Sequence, residues 1–266
     1  MLRDGTIEVK DPHEKKPELT KAHEMMTEFA SKFHMASTFA KPDYFVPVPV
    51  IEGMASAETL TKKGIMIHCL DSRMVYPKYG VWTATTQEYL NLLSNFVQQN
   101  KSRYAKYDTM VDLGCGTGVL PIVLAENGGY QGKVFSFDNQ PNAIEATKMN
   151  SQIFGLGQRV TAREADIVDL YYMDAEESRT DSASVEKVKE MNFYRELSKD
   201  LEFPFQVDLV VCNPPWIPAE FVRETNPLDN GVYDPQEKFL KSMFNFCRVH
   251  LDKNGEMLLV YSDLAY

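Results

Sequence analysis

From residue 108 onward short apolar runs alternate with helical segments, and this alternation limits the possible folds more than any other feature of the chain. "TMVDLG", "KVFSFD", "RVTAREAD", "FQVDLVVC" and "GEMLLVYSD" read as strands. Between them, "GVLPIVLAEN", "PNAIEATKMNSQIFG" and "EKFLKSMFNFCRVHL" read as helices. A strand that is apolar on both faces must be covered on both faces, and helices between strands supply the cover. The expected fold class is α/β: a mostly parallel sheet with helices on both faces, plus a small N-terminal α+β extension.

The organisation follows from breaks in this pattern. Residues 1–85 are expected to form the N-terminal extension, a possible substrate-recognition element, and 86–266 the main domain. Within the extension, 1 to about 20 reads as a flexible leader and 19–40 has helical apolar spacing. "YFVPVPVI" reads as extended because of its alternating prolines, and "GIMIHCLDSRMVYP" as a strand pair turning at Asp71–Ser72. A helix is expected from Thr86 to about Asn100. Residues 174–203, charged and rich in Ser, Thr and Asp, read as a surface insertion, a solvated excursion rather than a substrate lid.

Composition excludes several functions. Four scattered cysteines without a CxxC pair fit reduced thiols, and the histidines show no metal-ligand spacing, so no metal is expected. No apolar run approaches the roughly 18 residues of a membrane span. The polar N-terminus lacks a secretory core, so a cytoplasmic location and no membrane partner are expected. A net charge of -10 disfavours loose adhesion to nucleic acid, but a small basic patch could still read a specific RNA.

The chemistry gathers at strand ends. "VDLGCGTG" places Gly114, Gly116 and Gly118 between a strand and a helix, where glycine permits positive φ and close approach to a ligand. The dinucleotide fingerprint would need Gly or Ala at 119, where this chain has Val119. Asp112 precedes the turn and would repel a pyrophosphate but suit a cationic amine, such as that of S-adenosylmethionine. The next strand ends in Asp138, with Asn139 beside it, placed for ribose hydroxyls. After the third strand, Asp166 can accept from an adenine amino group and Ile167 can pack on its ring.

"NPPW" follows the fourth strand and ends it abruptly, since paired prolines cannot continue a central strand. Together these motifs resemble class I S-adenosylmethionine-dependent methyltransferases, specifically the small-domain group with an Asn-Pro-Pro-aromatic motif, over roughly Tyr76 to Tyr266. The group includes protein-glutamine and rRNA or DNA base N-methyltransferases. The resemblance implies a Rossmann-like domain, S-adenosyl-L-methionine as cofactor, and Trp82 and Thr86 as weaker cofactor contacts. The resemblance likewise implies Asn213 as a cofactor neighbour and a catalytic residue, with Pro214 and Trp216 as further catalytic residues. Asn213 would accept an N–H of a planar nitrogen, the prolines would stiffen the loop, and Trp216 would stack on the target.

Trp stands where Tyr or Phe is commoner in the best-known members, so the substrate does not carry over from any one of them. Asn230 and Asp234 could line the substrate side, with capping of the helix from 235 the expected role of Asp234. A protein or RNA substrate is expected, with slight preference for a glutamine side chain because the chain is acidic. A base N-methyltransferase is the alternative, and a silent cofactor-binding scaffold or a nicotinamide-binding protein are alternatives of other classes. The family's sheet continues past "GEMLLVYSD" with a helix and an antiparallel edge strand, so either a shortened chain or an edge covered by a partner is expected.

Overall fold

The computed structural model describes residues 48–172, 203–219 and 231–261. The chain divides into two compact units between Lys63 and Gly64. The described part of the first unit is helix α1 (Val48–Lys63), whose last turn carries Lys62 and Lys63, favourably placed for the helix dipole. Val48–Ile51, expected to be extended, form its first turn instead. Pro49 is the second helical residue, where its missing N–H removes no intrahelical bond. The helical reading of 19–40 and most of the 174–203 insertion lie outside the described residues.

The second unit begins with an antiparallel pair, β1 (Ile65–Ile67) and β2 (Arg73–Val75). Asp71 and Ser72 turn it with φ of 54° and 59°, as the sequence predicts. Ile67, Leu70 and Val75 are buried in one core with Leu90 and Val97 of α2 (Glu88–Gln99). The segment 64–85, expected with the N-terminal extension, therefore shares the core of the second unit. A single turn, α3 (Lys101–Tyr104), follows.

The main sheet is built from β3 (Thr109–Leu113), β4 (Lys133–Asp138), β5 (Val160–Glu164), β6 (Val207–Cys212) and β9 (Leu251–Leu259). Its helices are α4 (Val119–Glu126), α5 (Pro141–Ile153), α6 (Ile167–Tyr171) and α7 (Lys238–His250). The order is β5-β4-β3-β6-β9, and every neighbouring pair is parallel. The order reverses between β3 and β6, which opens a crevice at the carboxyl ends of those strands. A short parallel pair, β7 (Ile217–Ala219) with β8 (Tyr233–Pro235), flanks that end.

Strand alternation divides the buried residues into two cores. On β3 and β6, Met110, Leu209 and Val211 face the core of α2 and α4, while Val111, Leu113, Val210 and Cys212 face the core of α7. The second core closes on an aromatic group of Phe135, Phe137, Tyr171, Phe203 and Phe246 in edge-on contacts. Phe203, the last residue of the expected 174–203 insertion, is 3% exposed and belongs to this core.

Candidate active site

The turn after β3 is held by backbone before any side chain contributes. Gly114 and Cys115 N–H groups both donate to the Phe137 carbonyl, at 2.9 and 3.0 Å. Gly114, Gly116 and Gly118 have φ of +68°, +52° and +73°, a region that side chains rarely enter. A Cβ on Gly114 would meet the Phe239 ring at 3.3 Å, and one on Gly118 would meet Thr147 at 3.0 Å. Gly114 thus keeps space in the crevice. Gly118, expected to touch cofactor, does not line the crevice; its missing side chain lets α4 and α5 approach each other.

The carboxyl ends of the strands enclose a cavity of about 390 Å³, within the range of small-molecule sites. Gly114, Gly116, Asp138, Asn139, Asp166, Ile167 and Asn213 line it, as does Trp82. Asp138 Oδ2 accepts from Gly116 N at 3.0 Å and Oδ1 from Gln140 N at 2.9 Å. Each oxygen keeps a lone pair for a further donor. Burial holds this carboxyl up at about 6, against the backbone N–H groups of Gly116, Gln140 and Asn139 that lower it. Asn139 Nδ2 donates to Asp166 Oδ2 at 3.0 Å, while Asp166 Oδ1 caps α6 through Val168 N at 2.8 Å. Asn139 is therefore a strut that holds Asp166.

A strap from Tyr76 to Ala84 closes one side of the crevice. Asn150, fully buried on α5, accepts from Tyr76 N at 2.9 Å and donates to the Tyr76 and Thr117 carbonyls at 3.0 and 2.9 Å. Asn142 donates to the Tyr79 carbonyl at 2.9 Å. These bonds bring Val81, Trp82 and Ala84 to the cavity. Thr86 is exposed and lies off the wall, so it is not a lining residue; Tyr89, one turn on along α2, lines the wall instead.

Asp112 departs furthest from expectation. Its position on β3 shares the parity of Met110, which turns it toward the α2 and α4 core rather than onto the cavity wall. It is fully buried, and neither carboxylate oxygen has a hydrogen-bond partner among the described residues. Burial first, then the nearby charge of Asp138, push its carboxyl well above the usual range. A carboxyl orphaned directly beneath a glycine turn is what a cationic ligand group would satisfy. The diol-ready Asp138, the glycine cradle and this carboxyl fit S-adenosylmethionine.

Asn213 follows β6 directly and lines the cavity with Pro215. Pro214 is buried and, like Trp216, is absent from the wall. Trp216 turns its indole back, and its Nε1–H donates to Asn213 Oδ1 at 3.0 Å. Trp216, expected to stack on the target, is thus not a lining residue. Asp234 caps α7 as expected, accepting from Phe239 N at 2.8 Å and Leu240 N at 3.0 Å. Asn230 lies outside the described residues. The sequence reading missed Tyr89, Tyr233, Lys238 and Phe239 on the wall. Apolar periodicity around 235–250 was the available signal, but it reads equally as helix core.

Comparison with known proteins shows the family. A probable cobalt-precorrin-6B C(15)-methyltransferase (decarboxylating) of Pyrobaculum aerophilum is 41% identical over 71 residues, covering 27% of this chain and 36% of that protein. A ribosomal protein L11 methyltransferase of Bacillus pumilus is 28% identical over 85 residues, covering 32% of this chain and 24% of that protein. The matched stretches thus span about a third or less of those relatives' lengths. A solved S-adenosylmethionine-dependent methyltransferase from Thiobacillus denitrificans, in complex with S-adenosyl-L-homocysteine, has a TM-score of 0.35 at 15% identity, covering 65% of this chain and 48% of that one. Among the described residues no group of His, Cys, Asp or Glu could hold a metal, and no helix is long and apolar enough to cross a membrane. Residues 105–265, more than half of the chain, match the methyltransferase domain family, and the chain belongs to that family of S-adenosylmethionine-dependent methyltransferases.

Proposed function

We propose that the protein transfers the methyl group of S-adenosylmethionine to the nitrogen of a planar amide or exocyclic amine. The observation that carries this reading is the position of Asn213: it ends a central strand, lines the cofactor crevice, and follows no other polar side chain on its strand end. A planar nitrogen has its lone pair delocalised, so proton removal helps it little and orientation helps it much. Asn213 Oδ1 accepts one N–H and turns the lone pair toward the methyl group. Such positioning supplies on the order of 7–11 kcal/mol in favourable cases. Asp138 holds the ribose of the cofactor, Asp166 and Ile167 its adenine, and Asp112 answers its positive charge through the glycine turn. The bound cofactor supplies the electrophilic methyl.

A protein glutamine side chain is the first reading of the acceptor, because the net charge of -10 opposes long contacts with phosphates. One observation favours a base instead: Trp82 and Tyr233 line the cavity at 41% and 37% exposure, and exposed rings of this kind stack on bases. The names of the relatives speak for position C(15) of cobalt-precorrin-6B and for a ribosomal protein, and for neither acceptor directly. The test is tritiated-methyl transfer from S-adenosylmethionine into whole-cell extract. Label that is removed by protease, survives nuclease and yields N-methylglutamine supports the first reading. Label removed by nuclease moves the acceptor to a base, and label on carbon, oxygen or sulfur ends the proposal.

A further inference from the structure

Trp216 is off the cavity wall, yet it touches the residue on which the proposed chemistry depends. Its indole Nε1–H donates to Asn213 Oδ1 at 3.0 Å. An indole nitrogen only donates, so the carboxamide must turn its oxygen, never its NH2, toward the ring. The backbone that carries the indole is itself anchored: the Trp216 and Ile217 backbone N–H groups both donate to the Val232 carbonyl, at 3.1 and 3.0 Å, and β7 pairs with β8 immediately beyond. A continuous set of contacts therefore runs from β8 through Trp216 to one side-chain amide.

An asparagine without such a partner can flip, since the two faces of its terminal amide differ little in energy. In one orientation it offers an acceptor to an incoming N–H, and in the other it offers a donor that repels one. Resting on the N-methyl-transfer reading above, we infer that Trp216 is a positioning residue whose indole N–H fixes the Asn213 carboxamide with its oxygen in place. That contact uses one lone pair of Oδ1 and leaves the second for an N–H of the acceptor. The specificity follows: an acceptor must bring an N–H, and an acceptor carbon or sulfur gains nothing from this site. A phenylalanine at 216 would keep a stacking face and lose this function.

The chain has two tryptophans, so 15N-indole-labelled protein saturated with S-adenosylhomocysteine gives two N–H signals, assigned with Trp82→Phe. Asn213→Ala is expected to shift the Trp216 signal and to speed its hydrogen exchange about tenfold, while the Trp82 signal stays. In a second arm, Trp216 is replaced with 3-benzothienylalanine, which keeps ring size and exchanges N–H for sulfur. Tritiated-methyl transfer into whole-cell extract should slow about five- to tenfold, as expected for one neutral hydrogen bond, with unchanged affinity for S-adenosylhomocysteine. A stacking or merely structural tryptophan would give full rate with this isostere and loss only with Trp216→Leu. An unmoved indole signal in Asn213→Ala overturns the inference. So does full rate with the isostere while Asn213→Ala is inactive, an outcome that leaves the N-methyl-transfer reading standing. If Asn213→Ala itself methylates normally, that reading fails, and the positioning role falls with it.

Discussion

On the proposed reading, in which Asp138 holds the cofactor ribose, this carboxyl couples cofactor binding to pH. Ribose hydroxyls donate to an ionised carboxylate, so binding favours loss of a proton from a group held at about 6. Affinity for S-adenosylhomocysteine is therefore expected to be flat above that pH and to weaken below it, approaching about tenfold per pH unit. Calorimetry from pH 5 to 8 checks this, and a flat profile would remove Asp138 from the ribose site. Asp112 makes a different prediction, because its carboxyl is raised by burial and has no partner. A raised acid contributes stability at low pH that is lost as pH rises through its folded value. Asp112→Asn should therefore gain thermal stability relative to the native protein as pH increases from 5 to 8. The same substitution should weaken S-adenosylmethionine by about 1.5–3 kcal/mol, the worth of a hydrogen bond to a charged group. Unchanged affinity would take Asp112 out of the site.

Two contacts between elements carry predictions of their own. Gly118 begins α4 with φ +73°, and its absent side chain faces Thr147 of α5. Gly118→Ala adds about 1–2 kcal/mol of left-handed backbone strain and ~1–3 kcal/mol of overpacking. Its melting temperature should fall clearly, while cofactor affinity per folded molecule stays near native, because the residue does not line the cavity. On the other face His250 is buried between Tyr171 and Phe205. The Phe205 carbonyl accepts from Nδ1 at 2.8 Å, so Nε2 accepts from the Tyr171 hydroxyl, also at 2.8 Å. Burial lowers this imidazole to about 4. The neutral ring contributes stability that is full above its ordinary range, near 6.5, and is lost as pH falls toward about 4. The loss approaches roughly 3 kcal/mol. Asp138 works with the opposite sign over much of the same window, so the whole-protein curve is flatter than either group alone. Urea unfolding of His250→Gln against the native protein isolates the histidine: the stability gap should shrink from pH 7.5 to pH 4.5, and a constant gap would contradict the assignment.

Across the molecule, the parallel sheet was legible because strands covered on both faces must be apolar throughout, as "TMVDLG" and "FQVDLVVC" are. Asp138, Asp166 and Asn213 were legible for a related reason, since a polar residue just after such a run must lie at the strand's exposed end. The face that Asp112 meets was not legible, because the residue sits one place inside that end, where alternation rather than position decides it. The role of Gly118 depends on its contact with the distant Thr147, which spacing within a motif does not encode. Pro49 shows the same limit on a smaller scale, because a proline breaks a helix interior yet fits its first turn. The central claim is that Asn213 orients the acceptor and leaves cofactor binding to the acids and glycines. Its most direct test is to measure methyl transfer into extract and S-adenosylhomocysteine affinity side by side for Asn213→Ala. The account predicts that transfer falls at least about a hundredfold, a fraction of the orientation term, while the dissociation constant stays within about twofold of native. Native-level transfer by the variant, or transfer and affinity falling together, would contradict it.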